Sequence, residues 1–397
     1  KRPECVTSGR LRDPARQAAQ TGTRLVMSSI FLLPAAKGRR AVLWTLLCFA
    51  ASQLALSMYL DSRRPEVRDP LYGYRLHSLR SRLAESPKAP LFLALGSSRI
   101  KYSLWPALMK VRPGAGAPAP VIYNFGINGM GNIRELMYFR RLLADGIRPE
   151  WLLLEVWPPL WTQSGIFEET RMVLSEDDQH WRDLPLLIRY FSGKPDVVKQ
   201  AVRRSLLPIT DYRGNLVQTT IETLLPRQHV DEKKNLHLAD WIPFDSTGWF
   251  RVPWQRNTPE EKRIALEHGA EEMKPLVTPL RIDPRSDGAL RELLDECRTR
   301  GIKVALIWMP EHSLTRGWYP PQARALAHRY LGQLKQEYHI PIIDTREWVR
   351  DENFVDYCHV GLPGVAPFSE RVGHEVIQPI VEGKNLNDAV LYKDGER

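Results

Sequence analysis

The sequence predicts an α/β protein in which helices cover both faces of a parallel sheet. Short apolar runs without polar alternation recur along the chain, as expected of strands that are buried on both faces. Amphipathic stretches lie between them, and Gly146 and Gly301 are helix-stop signals just before two of the runs. In chain order, the predicted strands are residues 90–95, 121–124, 151–156, 303–308 and 340–343.

The helices predicted between and after these strands complete the repeating pattern. They cover residues 99–111, 132–146, 286–300, 321–337 and 364–381. Residues 160–283 interrupt the pattern, because they are rich in Trp, Arg, Glu and Pro and contain no clear strand. We interpret them as a mostly helical insertion packed near the rim of the predicted site. The α/β domain is therefore assigned to residues 89–159 and 284–385, followed by a tail at 386–397.

An uncharged apolar run at residues 41–60 has about the 20 residues that a helix needs to span a bilayer. Lys37, Arg39 and Arg40 precede it, so the positive-inside rule places the amino terminus in the cytoplasm and the main domain outside it. We expect a single-pass protein of the plasma (inner) membrane with a basic cytoplasmic leader at 1–40.

The regions on either side of this run carry further expectations. Residues 61–88 are expected to form a juxtamembrane helix or stalk, with charges on most of its faces. A cleaved signal peptide is the alternative to an anchor, since Ala-Leu-Ser at 55–57 could serve as a small-residue cleavage site. The apolar run exceeds a usual signal core, which favours the uncleaved anchor. Residues 1–26 are basic and featureless, and Met27 is the more natural start, so the fold prediction leaves them out.

The charge and cysteine content argue against several classes of function. The net charge is +10, from 56 Lys and Arg against 46 Asp and Glu, but no zinc finger, helix-turn-helix signature or aromatic-basic motif accompanies it. We therefore expect no nucleic-acid partner and attribute the charge to basic membrane flanks and to an affinity for anionic envelope polymers. The four cysteines form no CxxC or ligand-like cluster. Neither a disulfide framework nor a metal site is expected, and the predicted chemistry needs no cofactor.

Two segments carry the residues of a nucleophilic site. The apolar run at 91–95 is followed directly by Gly-Ser-Ser-Arg. This pattern predicts a buried strand that places Ser98 in the turn before a helix. After the last predicted strand the chain reads Asp-Tyr-Cys-His, so Asp356 and His359 are close enough in sequence to be oriented as one unit. A serine, a histidine that takes its proton and an aspartate that fixes the imidazole tautomer are the minimum set for nucleophilic acyl transfer. Parallel sheets bind ligands beyond the carboxyl ends of their strands, where Ser98 falls.

Each of these candidates has an alternative. Ser97 and Ser98 compete to cap the following helix, and one cap with one nucleophile is a coherent division between them. The spacing Asp-x-x-His also occurs at residues 177–180, inside the insertion and without the strand and helix context. His312 follows the fourth predicted strand, where it is the second candidate for the base and otherwise lines the substrate pocket.

The residues of both segments resemble the motifs of the SGNH/GDSL hydrolase superfamily. Gly-Ser-Ser at 96–98 is similar to its first block, which makes Ser98 the nucleophile by position. Asp356 and His359 match its last block, Asp-x-x-His. The resemblance implies a flavodoxin-like three-layer α/β/α fold.

The resemblance also implies an oxyanion hole. The second block of the family supplies an amide from a glycine after the second strand, so Gly126 or Gly129 is expected to act together with the amide of Ser98. The third block normally supplies a side-chain asparagine, whereas this chain reads Glu-Val-Trp at 155–157. Asn124, Asn128 and Asn132 are compatible with turns, and one of them can replace that donor. Asn128 is the preferred candidate.

Several side chains near the predicted site are candidates for substrate binding. Arg99 can hold an anionic group bidentately or form a structural ion pair. Trp157, like Trp151 and Trp161, can stack on a sugar ring or pack in the core. Glu155 ends the third strand and is expected to pair with a nearby arginine.

The leading hypothesis is an exported, membrane-anchored serine acyl hydrolase or O-acyltransferase that acts on a cell-envelope saccharide or a related ester. The Gly-Ser-Ser opening, the anchor and the missing asparagine are similar to exported bacterial members of the superfamily, such as the D-alanine transfer protein of teichoic acid assembly and the alginate O-acetylation proteins. This likeness suggests a polytopic membrane protein as acyl donor. The alternative is a catalytically reduced domain that binds envelope polymer or scaffolds an assembly complex.

Overall fold

The computed structural model describes residues 35–114, 116, 118–175, 179–224, 244–253 and 258–386. The chain divides into two compact units, Lys1–Gln53 and Leu54–Arg397. Met27, the first two residues of the second Asp-x-x-His motif and nearly all of the predicted tail lie outside the described residues.

Five parallel strands form the sheet of the second unit, in the order β2-β1-β3-β4-β5. Their bounds are β1 Leu91–Leu95, β2 Val121–Asn124, β3 Trp151–Glu155, β4 Lys303–Trp308 and β5 Ile342–Asp344. The predicted α/β class and parallel sheet are confirmed, and β2 and β4 have the predicted bounds. The fifth strand begins two residues later than predicted, after Pro341, whose carbonyl accepts a hydrogen bond from the amide of Leu306.

Fifteen α-helices occupy the described residues. In chain order they are α1 Ala35–Arg63, α2 Pro65–Arg68, α3 Pro70–Glu85, α4 Ser98–Ser103, α5 Asn132–Ala144, α6 Gln163–Ser175, α7 Leu184–Tyr190, α8 Pro195–Leu206, α9 Pro208–Leu224, α10 Pro259–Val277, α11 Pro284–Arg300, α12 Ser313–Trp318, α13 Pro321–Tyr338, α14 Leu362–Val372 and α15 Gln378–Val381. A π-helical turn, Gly373–Ile377, joins the last two. The helix predicted at 99–111 is shorter, because α4 ends at Ser103 and a separate 3₁₀ turn, Pro106–Leu108, follows it.

Two apolar layers cover the sheet, as the continuous apolar strands predict. Side chains alternate across a strand, so Leu93 and Leu95 of β1 point into one layer while Phe92 and Ala94 point into the other. Buried residues of α3, α5, α11 and α13 form the first layer, and those of α4 and α14 contribute to the second. The carboxyl ends of the parallel strands therefore lie together at one edge of the sheet, between the two apolar layers.

The segment expected as a stalk instead contributes to the core. In α3, Tyr72, Leu76 and Leu79 are buried in the first apolar layer. The same helix carries Arg75, whose fully buried guanidinium donates to the carbonyl of Gly126 at 2.6 Å and to that of Asn124. The correction has a simple cause, because the long stems of charged side chains can be buried when their heads find backbone acceptors.

The insertion is mostly helical in its described residues, as predicted, and contains α6 to α10. Its residues 244–253 are not helical, and a backbone bridge joins Phe244 to Phe250. Its buried His180 does not join the nucleophilic residues, because its Nδ1 lies 3.4 Å from Asp61 at the end of α1. The Asp-x-x-His spacing at 177–180 therefore has a separate surrounding from the one at 356–359.

One helix near the amino terminus, Gly38–Arg63 within α1, is long and apolar enough to be a membrane span or a signal anchor. It includes the whole run predicted from the sequence. Of the cysteines in the described residues, Cys48 of this helix is free and exposed, whereas Cys297 and Cys358 are free and buried.

The burial of α3 generates a stability prediction. Leu76→Ala removes a side chain that is fully packed in the core, so we expect it to lower the free energy of unfolding by about 2–5 kcal/mol. Leu314→Ala makes the same chemical change at an exposed position of α12 and should cost no more than about 0.5 kcal/mol. Chemical denaturation of the detergent-solubilised full chain measures both. Equal, small effects would show that residues 70–85 do not pack in the core.

Candidate active site

The turn after β1 presents Ser98 as the first residue of a helix. Ser97 has extended backbone angles and caps α4, because its Oγ accepts a hydrogen bond from the amide of Arg99 at 3.2 Å. The hydroxyl of Ser98 is therefore not needed for the cap. The structure has the division that the sequence allows, with one serine as the cap and the other at the nucleophile position.

Gly96 and Glu155 together fix the shape of this turn. A Cβ on Gly96 would lie 2.5 Å from Cβ of Glu155 and 2.6 Å from its Oε2, so no larger residue fits there without displacement. The same Oε2 accepts a hydrogen bond of 2.5 Å from the amide of Ser97. The carboxylate at the end of β3 thus holds the backbone just before the candidate nucleophile.

Ser98, His359 and Asp356 form a continuous hydrogen-bonded chain. Nε2 of His359 lies 2.7 Å from Oγ of Ser98. Nδ1 of the same ring lies 2.9 Å from Oδ2 of Asp356 and 3.0 Å from Oδ1. Oδ1 also accepts the amides of Cys358 at 3.0 Å and His359 at 2.8 Å. These bonds fix the carboxylate and the ring relative to each other, which leaves Nε2 directed at the serine.

The electrostatics of the pair favour its ionised form. Burial of the Asp356 carboxyl favours the neutral acid, but the His359 ring and the two amides outweigh it, so the pKa of Asp356 is lowered. Burial of the His359 ring works against its charge, yet the Asp356 carboxylate and the Cys358 sulfur raise the pKa of His359 well above its usual range. A proton taken from Ser98 would therefore be held strongly on the ring.

The expected oxyanion donors differ in whether their backbone amides are already hydrogen-bonded within the protein. The amide of Ser98 stands at the start of α4, where helix geometry leaves it without an intrahelical acceptor. The amide of Gly126 already donates to Oδ1 of Asn124 at 2.9 Å. A Cβ on Gly126 would lie 2.4 Å from the backbone nitrogen of Lys101, so this glycine is required for close packing against α4. The expectation that Gly126 offers a free amide is therefore corrected.

Asn128 and Gly129 lie in the turn between β2 and α5. The carbonyl of Asn128 accepts a hydrogen bond of 2.6 Å from Nη1 of Arg134. Its side-chain Oδ1 is buried and has no hydrogen-bond partner among the described residues. The position of this turn is thus fixed by a buried arginine, and its roles toward the substrate stay predictions.

Of the two roles open to each, Arg99 and Trp157 have the structural one, because both side chains are buried and not available to a substrate. The Arg99 side chain is 1% exposed, and its Nη2 donates to the carbonyls of Met309 at 2.6 Å and Pro310 at 3.1 Å. Its Nη1 lies 3.5 Å from Oε1 of Glu155, which is the ion pair predicted for that glutamate. The guanidinium lies 4.7 Å from the ring centre of Trp157, so both side chains pack against each other inside the protein.

The other aromatic candidates and His312 are also engaged elsewhere. His312 caps α12, because its Nδ1 accepts the amide of Leu314 at 3.2 Å. Burial lowers the pKa of His312, and no hydrogen bond joins it to Ser98 in the described residues. Trp151 stacks on Phe92, with ring centres 6.2 Å apart. Trp161 is fully buried. The rival assignment of His312 as the base is therefore corrected.

Sequence reasoning missed Glu311, a buried carboxylate at the loop after β4. Its Oε1 accepts hydrogen bonds of 3.1 Å from Trp157 Nε1, Trp308 Nε1 and Tyr319 Oη. It also lies 3.8 Å from Nη2 of Arg99. The lone glutamate after the apolar strand and Met-Pro was a weak signal, because nothing in sequence distinguishes it from an exposed loop residue.

Cys358 is the second residue that was missed. Its Sγ lies 3.5 Å from Nδ1 of His359, and burial raises the pKa of the thiol. Asp356, Cys358 and His359 have potential metal-ligand atoms within 4.8 Å of one another. Both ring nitrogens already make hydrogen bonds, to Asp356 and to Ser98, and the raised thiol pKa disfavours thiolate. The arrangement suits a general base better than a metal site.

No family model and no curated protein matches this chain. The assignment of a function therefore depends on the geometry of Ser98, His359 and Asp356.

The coupled ionisation predicts a shifted pH dependence. A serine is activated only by a neutral imidazole, so the rate at which Ser98 reacts with a fluorophosphonate should rise with pH through an inflection above about 6.5, the ordinary histidine pKa. Asp356→Asn removes the charge that raises the pKa of His359, so the inflection should move to lower pH and the rate should fall by a factor on the order of 10⁴. Labelling time courses between about pH 5 and 9 measure both effects. An unchanged inflection in the variant would contradict the coupling.

The burial of Arg99 predicts a structural role for it. Arg99→Met leaves the carboxylates of Glu155 and Glu311 buried without their cation, so the free energy of unfolding should fall by about 3–5 kcal/mol. Arg298→Met breaks an exposed pair with Asp295 and should cost less than about 1 kcal/mol. Chemical denaturation of the two variants distinguishes this role from substrate binding, for which Arg99→Met would leave stability near that of the wild type.

Proposed function

We propose that this protein is a membrane-anchored serine acyl hydrolase or O-acyltransferase of the SGNH type. The observation that carries the proposal is the 2.7 Å contact between Oγ of Ser98 and Nε2 of His359, on a ring whose Nδ1 is held by Asp356. Nucleophile, base and orienting carboxylate are thus in the order that acyl transfer requires.

The geometry supports a two-step reaction. Nε2 of His359 removes the hydroxyl proton of Ser98 as Oγ attacks an ester carbonyl, and Asp356 stabilises the imidazolium that forms. The carbon–oxygen bond to the leaving alcohol then breaks, and His359 returns the proton to that alcohol, which leaves an acyl group on Ser98. In the second step His359 deprotonates water or a sugar hydroxyl, which attacks the acyl group and regenerates the serine. The amide of Ser98, with Gly129 and Asn128, is the proposed site for the oxyanion.

The topology supports the assignment to the superfamily. The strand order 2-1-3-4-5 is the one found in flavodoxin-like folds, with the ligand site beyond the carboxyl ends of the strands. Ser98 directly follows β1, and the Asp356–His359 segment follows β5, as in the family pattern.

The cellular setting follows from α1 and from the family resemblance. We propose that α1 is an uncleaved anchor, with the second unit outside the cytoplasm, because basic residues precede its apolar run. The proposed substrate is an acylated saccharide of the cell envelope, or a related ester. A polytopic membrane protein is the proposed acyl donor if the reaction is a transfer.

The observation that favours the second function is the weakened oxyanion hole. Glu155 occupies the place where the family has its third block, and the amide of Gly126 is already bonded to Asn124. Loss of one donor typically reduces turnover by a factor on the order of 10²–10³. A domain that binds envelope polymer, or that scaffolds its assembly, is therefore the second candidate.

Covalent labelling of the full chain tests the proposal. A fluorophosphonate probe should modify Ser98, because His359 activates that hydroxyl, and peptide mapping identifies the modified residue. Ser98→Ala should abolish labelling. Ser97→Ala is the matched control, since it removes the neighbouring hydroxyl and the cap but leaves the nucleophile, so labelling at Ser98 should persist.

Labelling of folded wild-type protein at Ser98 alone would justify a screen of acetylated saccharides for hydrolysis and transfer. Folded protein that resists the probe at every pH would overturn the proposed enzyme and favour the binding or scaffold role. Labelling that survives in Ser98→Ala would place the nucleophile elsewhere.

A further inference from the structure

The carboxyl-terminal turns of α1 are fastened to the insertion by one buried arginine. Residues 54–63 of α1 belong to the same compact unit as the α/β domain. The fully buried Arg68 of α2 forms an ion pair of 2.5 Å with Asp61 of α1. Its Nη2 donates to the hydroxyl of Ser57 at 2.9 Å, and its Nη1 donates to the carbonyl of Arg204 in α8 at 3.3 Å.

A second set of contacts joins the same turns to α9. Leu60 of α1 and Tyr212 of α9 are buried in one apolar cluster, against which Leu56 and Leu216 pack. The guanidinium of Arg68 lies 4.9 Å from the ring centre of Tyr212. The end of the apolar helix therefore packs against the α8–α9 pair. Apolar and ionic contacts fix its position relative to these two helices.

The junction of α8 and α9 exposes apolar side chains beside this body. Four residues of this junction, which we term the insertion corner, are exposed to between 36% and 52%: Val202, Leu206, Leu207 and Ile209. Val217 of α9 is also exposed. Lys199 and Arg213 are exposed cations on the same two helices, and the exposed Arg203 pairs with Asp211 at 2.7 Å. Exposed apolar residues flanked by Lys and Arg are typical of helices that lie in a membrane interface.

The contacts place the insertion corner at the depth where the apolar run ends. Ser57 is three residues before Leu60, the last residue of the predicted span, so it lies about 4.5 Å inside its end along the helix axis. Arg68 binds Ser57 and the carbonyl of Arg204, and Arg204 is two residues before Leu206. Leu54, Met58 and Tyr59 of the same turns of α1 are also exposed.

We propose that the insertion corner is a second membrane contact, which inserts its apolar side chains into the interface of the bilayer on the side where α1 ends. The corner would bind a phospholipid surface that contains anionic headgroups, because the exposed cations Lys199 and Arg213 flank its apolar side chains. This inference rests on the proposed anchoring by α1, because α1 sets the depth. Two attachments would restrict rotation of the α/β domain about the axis of α1 and so orient the Ser98 edge relative to the membrane.

Depth-dependent quenching tests the proposal with the full chain in vesicles. Cys5→Ser and Cys48→Ser leave only the buried Cys297 and Cys358, and Leu207→Cys introduces a labelling position at the corner. A bimane attached there, in vesicles of phosphatidylcholine and phosphatidylglycerol, should lose roughly half of its emission to nitroxide lipids, because interfacial helices bury their apolar face in the acyl boundary. Leu47→Cys in the predicted span is the positive control. Leu314→Cys on α12 is the matched exposed leucine outside the corner and should not be quenched.

The pattern across the three positions separates the two proposals. Quenching at 207 and 47 but not at 314 supports the second contact. Quenching at 47 with a corner that responds only to a water-soluble quencher overturns the second contact and leaves the anchor. Absence of lipid quenching at both 47 and 207 overturns both. Circular dichroism and thermal melting of each labelled variant, matched to the wild type, ensure that a lost signal does not come from misfolding.

Discussion

A series of buried charged side chains at the carboxyl ends of the strands determines the position of Ser98, the candidate nucleophile. Glu155 at the end of β3 binds the amide of Ser97 with one carboxylate oxygen and lies beside Arg99 with the other. Arg99 in turn binds the carbonyls that follow β4 and lies near Glu311. Three consecutive central elements of the sheet, β1, β3 and β4, thus meet through one guanidinium. Because no water can compensate a lost partner there, the turn that carries Ser98 has little freedom to shift.

The same arrangement recurs elsewhere in the second unit. Arg75 of α3 donates to the carbonyl of Gly126 after β2 and to that of Gly248, and Arg68 donates to the carbonyls of Ser57 in α1 and Arg204 in α8. In each case one buried guanidinium supplies several donors to backbone carbonyls of separate segments. Loops that connect the sheet to the helices are fixed in this way, so the site residues have a rigid support although most of them lie in loops.

The sequence was sufficient for the sheet and for the order of the candidate triad, because both depend on short-range patterns. Continuous apolar runs followed by turn signals specify parallel strands, and Asp356 and His359 are near neighbours whose contact needs only a local turn. The sequence could not decide between the two roles open to Arg99 and Trp157, nor show that the amide of Gly126 is occupied, since each depends on a partner more than 20 positions away or on a backbone approach. A charged residue looks exposed in sequence until the carbonyls around it are known. For that reason the net charge of the chain does not reveal that Arg68, Arg75 and Arg99 are buried.

The separation of Ser98 and His359 by 261 residues has a consequence for biosynthesis. Asp356 and His359 lie in one short loop, closed by the backbone bridge between Phe354 and Val360, so the base and its orienter can pre-assemble locally. The serine, in contrast, is synthesised early and stays without a base until β5 and the loop after it have docked on the sheet. Because chains are made from the amino terminus onward, the nascent protein carries an unactivated hydroxyl for most of its synthesis. For the proposed enzyme, reactivity at Ser98 would therefore arise only with the completed tertiary structure, when His359 reaches the hydroxyl.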